Sequence, residues 1–458
     1  MSGRALLVVL LCWVAVVFDG YDLIVYGAVV PALLDDPGMQ MGAGQAGFTG
    51  SLALVGMIFG ALIIGTITDQ IGRRKSLMLC ASWFSIFMAL SAAAPTPEVL
   101  GVLRFLAGLG LGGTLPTAAA LTSEYVPSRH RTVGNAFMFS GIPLGGVLAA
   151  SLSIPLVPAF GWRIMFLIGV IPLLAVVPLV YRFVPESVGF LVAKGRRDEA
   201  EDIARRYGIA PPNEPEANPS EAAHSTGVPK EKSQSDTGAS RGILDSLSFI
   251  FSRRYVAATV LFWASMFSAL LMIYGLNTWL PEIMRSAGYP LGSALTFLLV
   301  LNLGAAAGAF ITSAATDRLG FKPLCVTSFL LALLSLSLLS IPSLPPVLLY
   351  ALLVLAGIGT HGTQILVISY VSSYYPAGSR ATALGWSFGI GRLGGVSGPI
   401  VGGLLVGAGI AVPWGFYAFA LPGLLGAIVV ALVPRMRRET STMTSMTSAE
   451  RKPEELRV

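Results

Sequence analysis

Charge is what this chain has least of. Asp, Glu, Lys and Arg make up 12% of its 458 residues, about half the share of a soluble globular domain. Cysteine is scarce too: Cys12, Cys80 and Cys325 are odd in number and lie in or beside apolar runs, which excludes a disulfide framework. The three histidines, His130, His224 and His361, share no metal-ligand spacing, so neither a metal nor a cofactor is expected. No nucleophile–base pair stands out, and enzyme chemistry has no support. The net charge of +6 points to basic loops rather than to a nucleic-acid partner. Strand-by-strand alternation is missing as well, which excludes an outer-membrane barrel.

What the chain has is apolar length. It is 54% hydrophobic, with a mean hydropathy of +0.74. Twelve apolar spans recur, at about 5–34, 45–68, 76–95, 98–124, 132–159 and 162–184, then 255–280, 291–316, 322–342, 345–374, 381–408 and 412–434. Each is long enough to cross a bilayer as a helix. The fold class is therefore an all-α membrane protein of twelve transmembrane helices, a first bundle over 1–184 and a second over 255–434. The N-terminus reads as a retained first span rather than a signal peptide, lacking a small-residue cleavage site. Between the bundles, 185–254 starts with a charged helical piece (Lys194–Tyr207) and passes into a Pro/Glu/Ser/Thr/Ala tract. That tract and the tail 435–458 have too little apolar surface to fold.

Basic residues fix the orientation. With both termini inside, Arg163 and Arg285 face out and Arg104 and Arg392 lie within spans, while every other Lys and Arg falls inside. This is the positive-inside pattern of a protein in a cytoplasmic membrane. Asp35 and Asp36 sit in the first outer loop.

The halves repeat. Gly65–Leu77 resembles Ser313–Leu324, Tyr125–Gly146 aligns without gaps on Tyr374–Gly395, and Ala107–Gly113 aligns on Ala356–Gly362. A six-plus-six duplication is the pattern of secondary transporters, with the site at mid-depth between the halves.

Against this background the titratable residues inside spans stand out, because each costs roughly 2.5–3.5 kcal/mol at a helix centre. Asp19 and Asp22, in FDGYDLIVYGAVVPAL, share one helical face. They either bind and release a proton or form a static pair with Arg104, which lies at a depth that reaches Asp22 and is itself a proton-relay partner, an anion attractor or a helix clamp. Arg392 lies near mid-depth in the eleventh span, where its planar fork can clasp a carboxylate or an internal acid. His361 in the tenth span is a proton relay, a substrate donor or a packing residue. Tyr26, Trp263, Phe267, Tyr274, Trp386 and Phe388 are candidates for an aromatic wall, or for ordinary helix packing. The glycine-rich Gly108–Gly112 stretch lies inside a span with no preceding strand, so close helix packing explains it better than a nucleotide loop. Near the inner ends, Asp69, Gly72, Arg73 and Arg74 form a tight charged turn, repeated in part by Asp317. Glu124, Arg131 and Arg380 lie at the same level, as gate residues or as solvated topology charges.

Here the chain resembles the major facilitator superfamily. The resemblance rests on Gly65-Thr-Ile-Thr-Asp69-Gln-Ile-Gly72-Arg73-Arg74-Lys75 and on Arg104 with Gly108, Gly110 and Gly112. It covers roughly 5–184 and 255–434. Within the superfamily, Asp19-Gly-Tyr-Asp22 with Gly27 and Pro31, and Gly110-Leu-Gly-Gly-Thr-Leu-Pro116 leading to Leu121-Thr-Ser-Glu124-Tyr125, resemble the aromatic acid:proton symporters. The resemblance implies proton-coupled import of a small aromatic carboxylate of the benzoate or hydroxybenzoate type. It implies that Asp69 faces the inner end of the eleventh span in a gate, and that a monomer in the lipid bilayer carries the function. Proton-driven export of drugs or metabolites is the alternative. Gly398-Pro-Ile-Val-Gly402-Gly403 resembles a stretch that antiporters carry in their fifth span, but here it sits in the eleventh.

Overall fold

In the computed structural model the chain is described over residues 3–126, 134, 137–209, 248–342, 344–410 and 412–434, with the side chains of Ser313, Asp317 and Ala377 excepted. The expected disordered tract and tail, and Arg131, His130 and His224, fall outside the described residues. Among the described residues, twelve helices are long and apolar enough to cross a membrane.

The first six are α1 (Gly3–Leu34), α2 (Ala43–Ile71), α3 (Arg73–Ala92), α4 (Pro97–Tyr125), α5 (Gly141–Phe160) and α6 (Arg163–Phe183). Two short helices follow, α7 (Val188–Ala193) and α8 (Arg197–Tyr207). The charged piece expected as one helix over Lys194–Tyr207 thus starts later, because Gly195 takes a left-handed φ of 77° and breaks the chain there. The last six are α9 (Val256–Ser286), α10 (Leu291–Leu319), α11 (Phe321–Leu339), α12 (Pro346–Tyr374), α13 (Ala377–Gly407) and α14 (Val412–Leu432). Helix α9 runs on past residue 280, so Arg285 belongs to its last turn rather than to a loop. Pro281 does not end it.

The packing repeats with the sequence. In the first half α1 packs on α5, α2 on α4 and α3 on α4; in the second α9 packs on α13, α10 on α12 and α11 on α12. The halves meet along α2 against α13 and, symmetrically, α5 against α10, with α1 against α9 between them. Glycine lets these helices approach closely. Gly47 of α2 lies 3.1 Å, measured from where a Cβ would stand, from the Gly403 Cα of α13, and Gly27 of α1 sits against the Asn277 carbonyl of α9.

These contacts between halves run from the end that carries Asp35 and Asp36 to mid-depth. The Ser51 hydroxyl donates to the Val396 carbonyl at 2.6 Å, and Arg392 donates to the Met57 carbonyl at 2.7 Å. Beyond that level, a Cβ at Gly385 or Gly389 of α13 would meet nothing within 4 Å, and Trp386 is 42% exposed. Among the described residues, hydrogen bonds between the halves lie at the acidic end and at mid-depth.

Candidate functional site

Asp19 and Asp22 are both buried at the middle of α1, at 1% and 0% exposure, but the fold gives them different surroundings. Asp22 is held. Arg104 of α4 donates to its Oδ1 at 2.6 Å and to its backbone carbonyl at 3.2 Å. The guanidinium is 1% exposed and lies over the rings of Tyr26 (5.6 Å) and Phe166 (5.7 Å). Two opposite charges paired with each other can exist in a dry interior, where either alone is prohibitive, although Asp22 Oδ2 and Arg104 Nε stay buried without hydrogen-bond partners.

Tyr26 is part of that clamp. Its hydroxyl donates to the Ala46 carbonyl at 2.7 Å and its ring fills the space beside Gly50. It therefore braces Arg104 and α2 in this conformation, with its one donor already spent.

Asp19 is not held. Its Oδ1 is buried without a hydrogen-bond partner. The charges that act on it are Asp22, three residues along the same helix, and Arg392 of the opposite half. Tyr274 of α9 lies within electrostatic reach of both Asp19 and Arg392, and its ring packs against Gly395 of α13. One acid from the first half, one base and one phenol from the second thus gather at mid-depth. Arg392 commits one N–H to the Met57 carbonyl and forms no ion pair of hydrogen-bonding length with Asp19 or Asp22.

The other expected wall residues divide. Trp386 stacks on Trp263 with ring centres 5.7 Å apart. Phe388 is half-buried on the same helix. His361 is buried in α12, its Nε2 unpartnered, and no hydrogen bond joins it to Arg392 or Asp19.

At the basic end, the charged turn is tied within the first half. Arg73 pairs with Glu124, which also accepts from the Ser187 hydroxyl at 2.7 Å and the Val188 N–H at 3.0 Å. Gly72, at φ 97°, brings the backbone against Glu186, which accepts from the Arg74 N–H at 2.9 Å. Arg74 reaches the Tyr181 carbonyl and lies 5.2 Å from its ring. The Arg73–Glu124 pair expected as part of a gate is therefore formed without any contribution from the second half. Asp69 is exposed and, among the described residues, its side chain has no ion pair or hydrogen bond, including the contact expected with the start of α13. Arg380 is exposed, and the side chain of Asp317 is outside the described set.

The sequence matches the family profile described as Major Facilitator Superfamily over residues 12–313 and 298–456. The chain belongs to the major facilitator superfamily. Among curated relatives of this transporter, it is 37% identical to the gentisate transporter of Corynebacterium glutamicum, over 96% of this chain and 90% of that protein. It is 36% identical to the benzoate transport protein of Acinetobacter baylyi (93% and 89%) and 35% identical to a 4-hydroxybenzoate transporter of Pseudomonas aeruginosa (93% and 91%). The solved inward-open conformation of the xylose transporter XylE from E. coli shares its fold, with a TM-score of 0.71 at 19% identity over 95% of this chain and 98% of that one. The chain is thus a multi-pass membrane transporter and not an enzyme.

Several polar contacts of this superfamily member escaped the reading of its sequence. At the acidic end Arg285 bonds Asp35 across the halves, Nη2 to Oδ1 at 3.0 Å, and its Nε lies 3.1 Å from Glu282. Glu282 is buried in the part of α9 that runs beyond the span expected to end near 280. In the same half Asn302 donates to Asn277 Oδ1 at 2.9 Å, both buried; lone asparagines in an apolar run carry no signal of whom they meet. Glu186 and Ser187 had one readable cue, a Ser just before the apolar run Val188–Ala193. The Ser187 hydroxyl caps α7 by accepting from the Phe190 N–H at 3.1 Å.

Proposed function

We propose that this transporter imports a small aromatic carboxylate, of the benzoate or hydroxybenzoate type, together with a proton, by alternating access across the cytoplasmic membrane. The observation that carries the reading is the division of labour between the two acids. Asp22 is ion-paired with Arg104, whereas Asp19, which like Asp22 keeps one unpartnered oxygen, has no ion pair and feels the charge of Arg392 from the opposite half. A buried carboxylate without a fixed cation is the group whose proton is exchanged when its surroundings alternate between wet and dry. Three relatives whose printed names are aromatic-acid transporters support the substrate class.

In this reading the basic end is cytoplasmic and the structure is inward-facing. In the outward-facing state Asp19 takes a proton and the substrate carboxylate docks on Arg392, replacing the Met57 carbonyl as its acceptor. The ring rests on the apolar and aromatic surfaces of α9 and α13, including Tyr274, Trp386 and Phe388, with His361 behind them in α12. With Asp19 neutral and the substrate paired, no bare charge is left at mid-depth, and the halves rock past each other. Each ligand biases the change only by its difference in affinity for the two states. At the basic end Asp69, Asp317, Arg131 and Arg380 complete the closure that the outward-facing state requires, beside the preformed Gly72–Arg73–Arg74–Glu124 corner. A single chain contains the whole path.

Uptake of radiolabelled benzoate, 4-hydroxybenzoate and gentisate by cells expressing the chain tests the proposal. Accumulation of at least one acid, collapsed by an uncoupler and by Asp19→Asn, supports it. Accumulation indifferent to the uncoupler, or proton-driven uptake into everted vesicles (export from the cell), overturns it.

A further inference from the structure

At the basic end of the first half, away from the path between the halves, three arginines converge on a cavity of about 370 Å³. Arg4 comes from the first turn of α1, Arg182 from the last turn of α6, and Arg206 from the last turn of α8. Phe183 and Tyr207 line it with them, and among the described residues no carboxylate does. Arg206 pairs with Asp202 one turn earlier at 2.8 Å. Among the described residues Arg4 and Arg182 have no ion pair; Arg182 lies 6.0 Å from the Phe183 ring. Three guanidiniums against one shared acid leave the cavity strongly positive. Nothing in the transport cycle uses it.

Its position identifies the anion. Cavity residue Leu7 begins an exposed apolar stripe on α1 that continues one turn on with Leu10; Leu179 and Tyr181 are exposed on α6. These surfaces lead from the basic rim toward the middle of the span, where the surroundings are hydrocarbon. The amphipathic α8 covers the rim, burying Ala200, Ile203 and Ala204, with Arg205 exposed and Arg206 at the cavity. A molecule that fits needs a negatively charged head at the level of the helix ends and apolar tails along α1 and α6.

We propose that Arg4, Arg182 and Arg206 hold the phosphate of an anionic glycerophospholipid whose acyl chains lie along the exposed leucines of α1 and α6. Guanidiniums bind phosphate oxygens through paired N–H donors, and basic pockets between spans at a membrane surface suit anionic headgroups. The bound lipid ties the start of α1, which carries the acid pair, to α6 and α8.

Thermal melting of the detergent-solubilised full chain tests this, with dioleoylphosphatidylglycerol, dioleoylphosphatidylcholine or inorganic phosphate added. The anionic lipid should raise the melting temperature saturably, while the zwitterionic lipid and phosphate leave it unchanged. In Arg4→Gln/Arg182→Gln the lipid concentration at half-effect should rise roughly thirtyfold. Arg318→Gln, at the same end of the second half, should titrate like the parent. A double variant that titrates like the parent overturns the proposal, and so does inorganic phosphate that reproduces the whole shift, since the site then takes a free anion. A measurement on the unsubstituted protein guards against misfolding of the variant. Photoactivatable phosphatidylglycerol should label peptides containing Arg182–Phe183 or Arg206–Tyr207; labelling confined to other peptides also overturns it.

Discussion

Arg285 at the end of α9 holds Asp35, which lies 250 residues earlier in the chain, across the acidic end of the cleft between the halves. The two side chains are 28% and 62% exposed, so the pair is a weak latch, worth about 0.5–1 kcal/mol once solvent screening is counted. It can exist only while that end is shut. Arg285→Gln should shift the balance toward the opposite conformation about threefold. Spin labels at Pro37 and Ser286 should then show a larger long-distance population; an unchanged distance distribution would mean the pair is incidental.

The glycine seam is the stronger closure. Gly47 of α2 has no room for a Cβ against the Pro399 carbonyl and Gly403 of α13. Both neighbours are backbone and cannot rotate away. Gly47→Ala should therefore hold the acidic end open and reduce uptake by more than about tenfold while expression in the membrane stays normal. Normal uptake by that variant would place the seam elsewhere.

Arg104 and Asp22 stand or fall together. Removing Arg104 leaves a buried carboxylate uncompensated, a loss of about 3–5 kcal/mol. Arg104→Gln should accordingly melt well below the parent. Asp22→Asn should abolish proton-driven accumulation, and the double variant Asp22→Asn/Arg104→Gln should regain part of the stability without regaining transport. Full accumulation by Asp22→Asn would remove the pair from the mechanism.

Arg392 offers a planar fork where lysine would offer a point charge. Arg392→Lys should weaken binding of the aromatic carboxylate by about tenfold or more, since hydrogen bonds to charged groups are worth about 1.5–3 kcal/mol. Equilibrium binding to the purified protein measures this directly. Parental affinity in the lysine variant would show that the carboxylate docks elsewhere.

Asp36, in the loop after α1, accepts from Trp162 Nε1 at 2.8 Å, the Gly38 N–H at 2.9 Å and Arg163 at 3.2 Å. The Trp162 hydrogen bond first, then that of Gly38, hold its carboxyl below the usual carboxylate range, with Arg163 adding to them. A pKa lowered by folding gives stability that is present above the unfolded value, about 3.9, and is lost as pH falls through the folded one. Asp36→Asn should thus cost about 1 kcal/mol at pH 5–7, and its melting deficit should shrink below about pH 4. A deficit that is constant down to pH 3 would assign the loss to packing.

The sequence by itself determined the twelve spans, the duplication and the superfamily. Hydropathy and small-residue spacing are local properties that a bilayer reads directly, and the α1–α5, α2–α4 and α3–α4 packing recurs in the second half because the pattern recurs. The Asp22–Arg104 pairing was within reach as well, since helical rise sets the depth of each residue. Only the tertiary structure decided what separates Asp19 from Asp22: three residues apart on one face, they differ because Arg104 of another helix reaches one and leaves the other facing Arg392. It also decided that Arg73 pairs with Glu124 inside one half, that Asn302 meets Asn277, and that Arg285 crosses to Asp35. Depth along a helix follows from counting residues. Rotation about its axis, and which residues meet across the two halves, follow from side-chain packing among helices hundreds of residues apart.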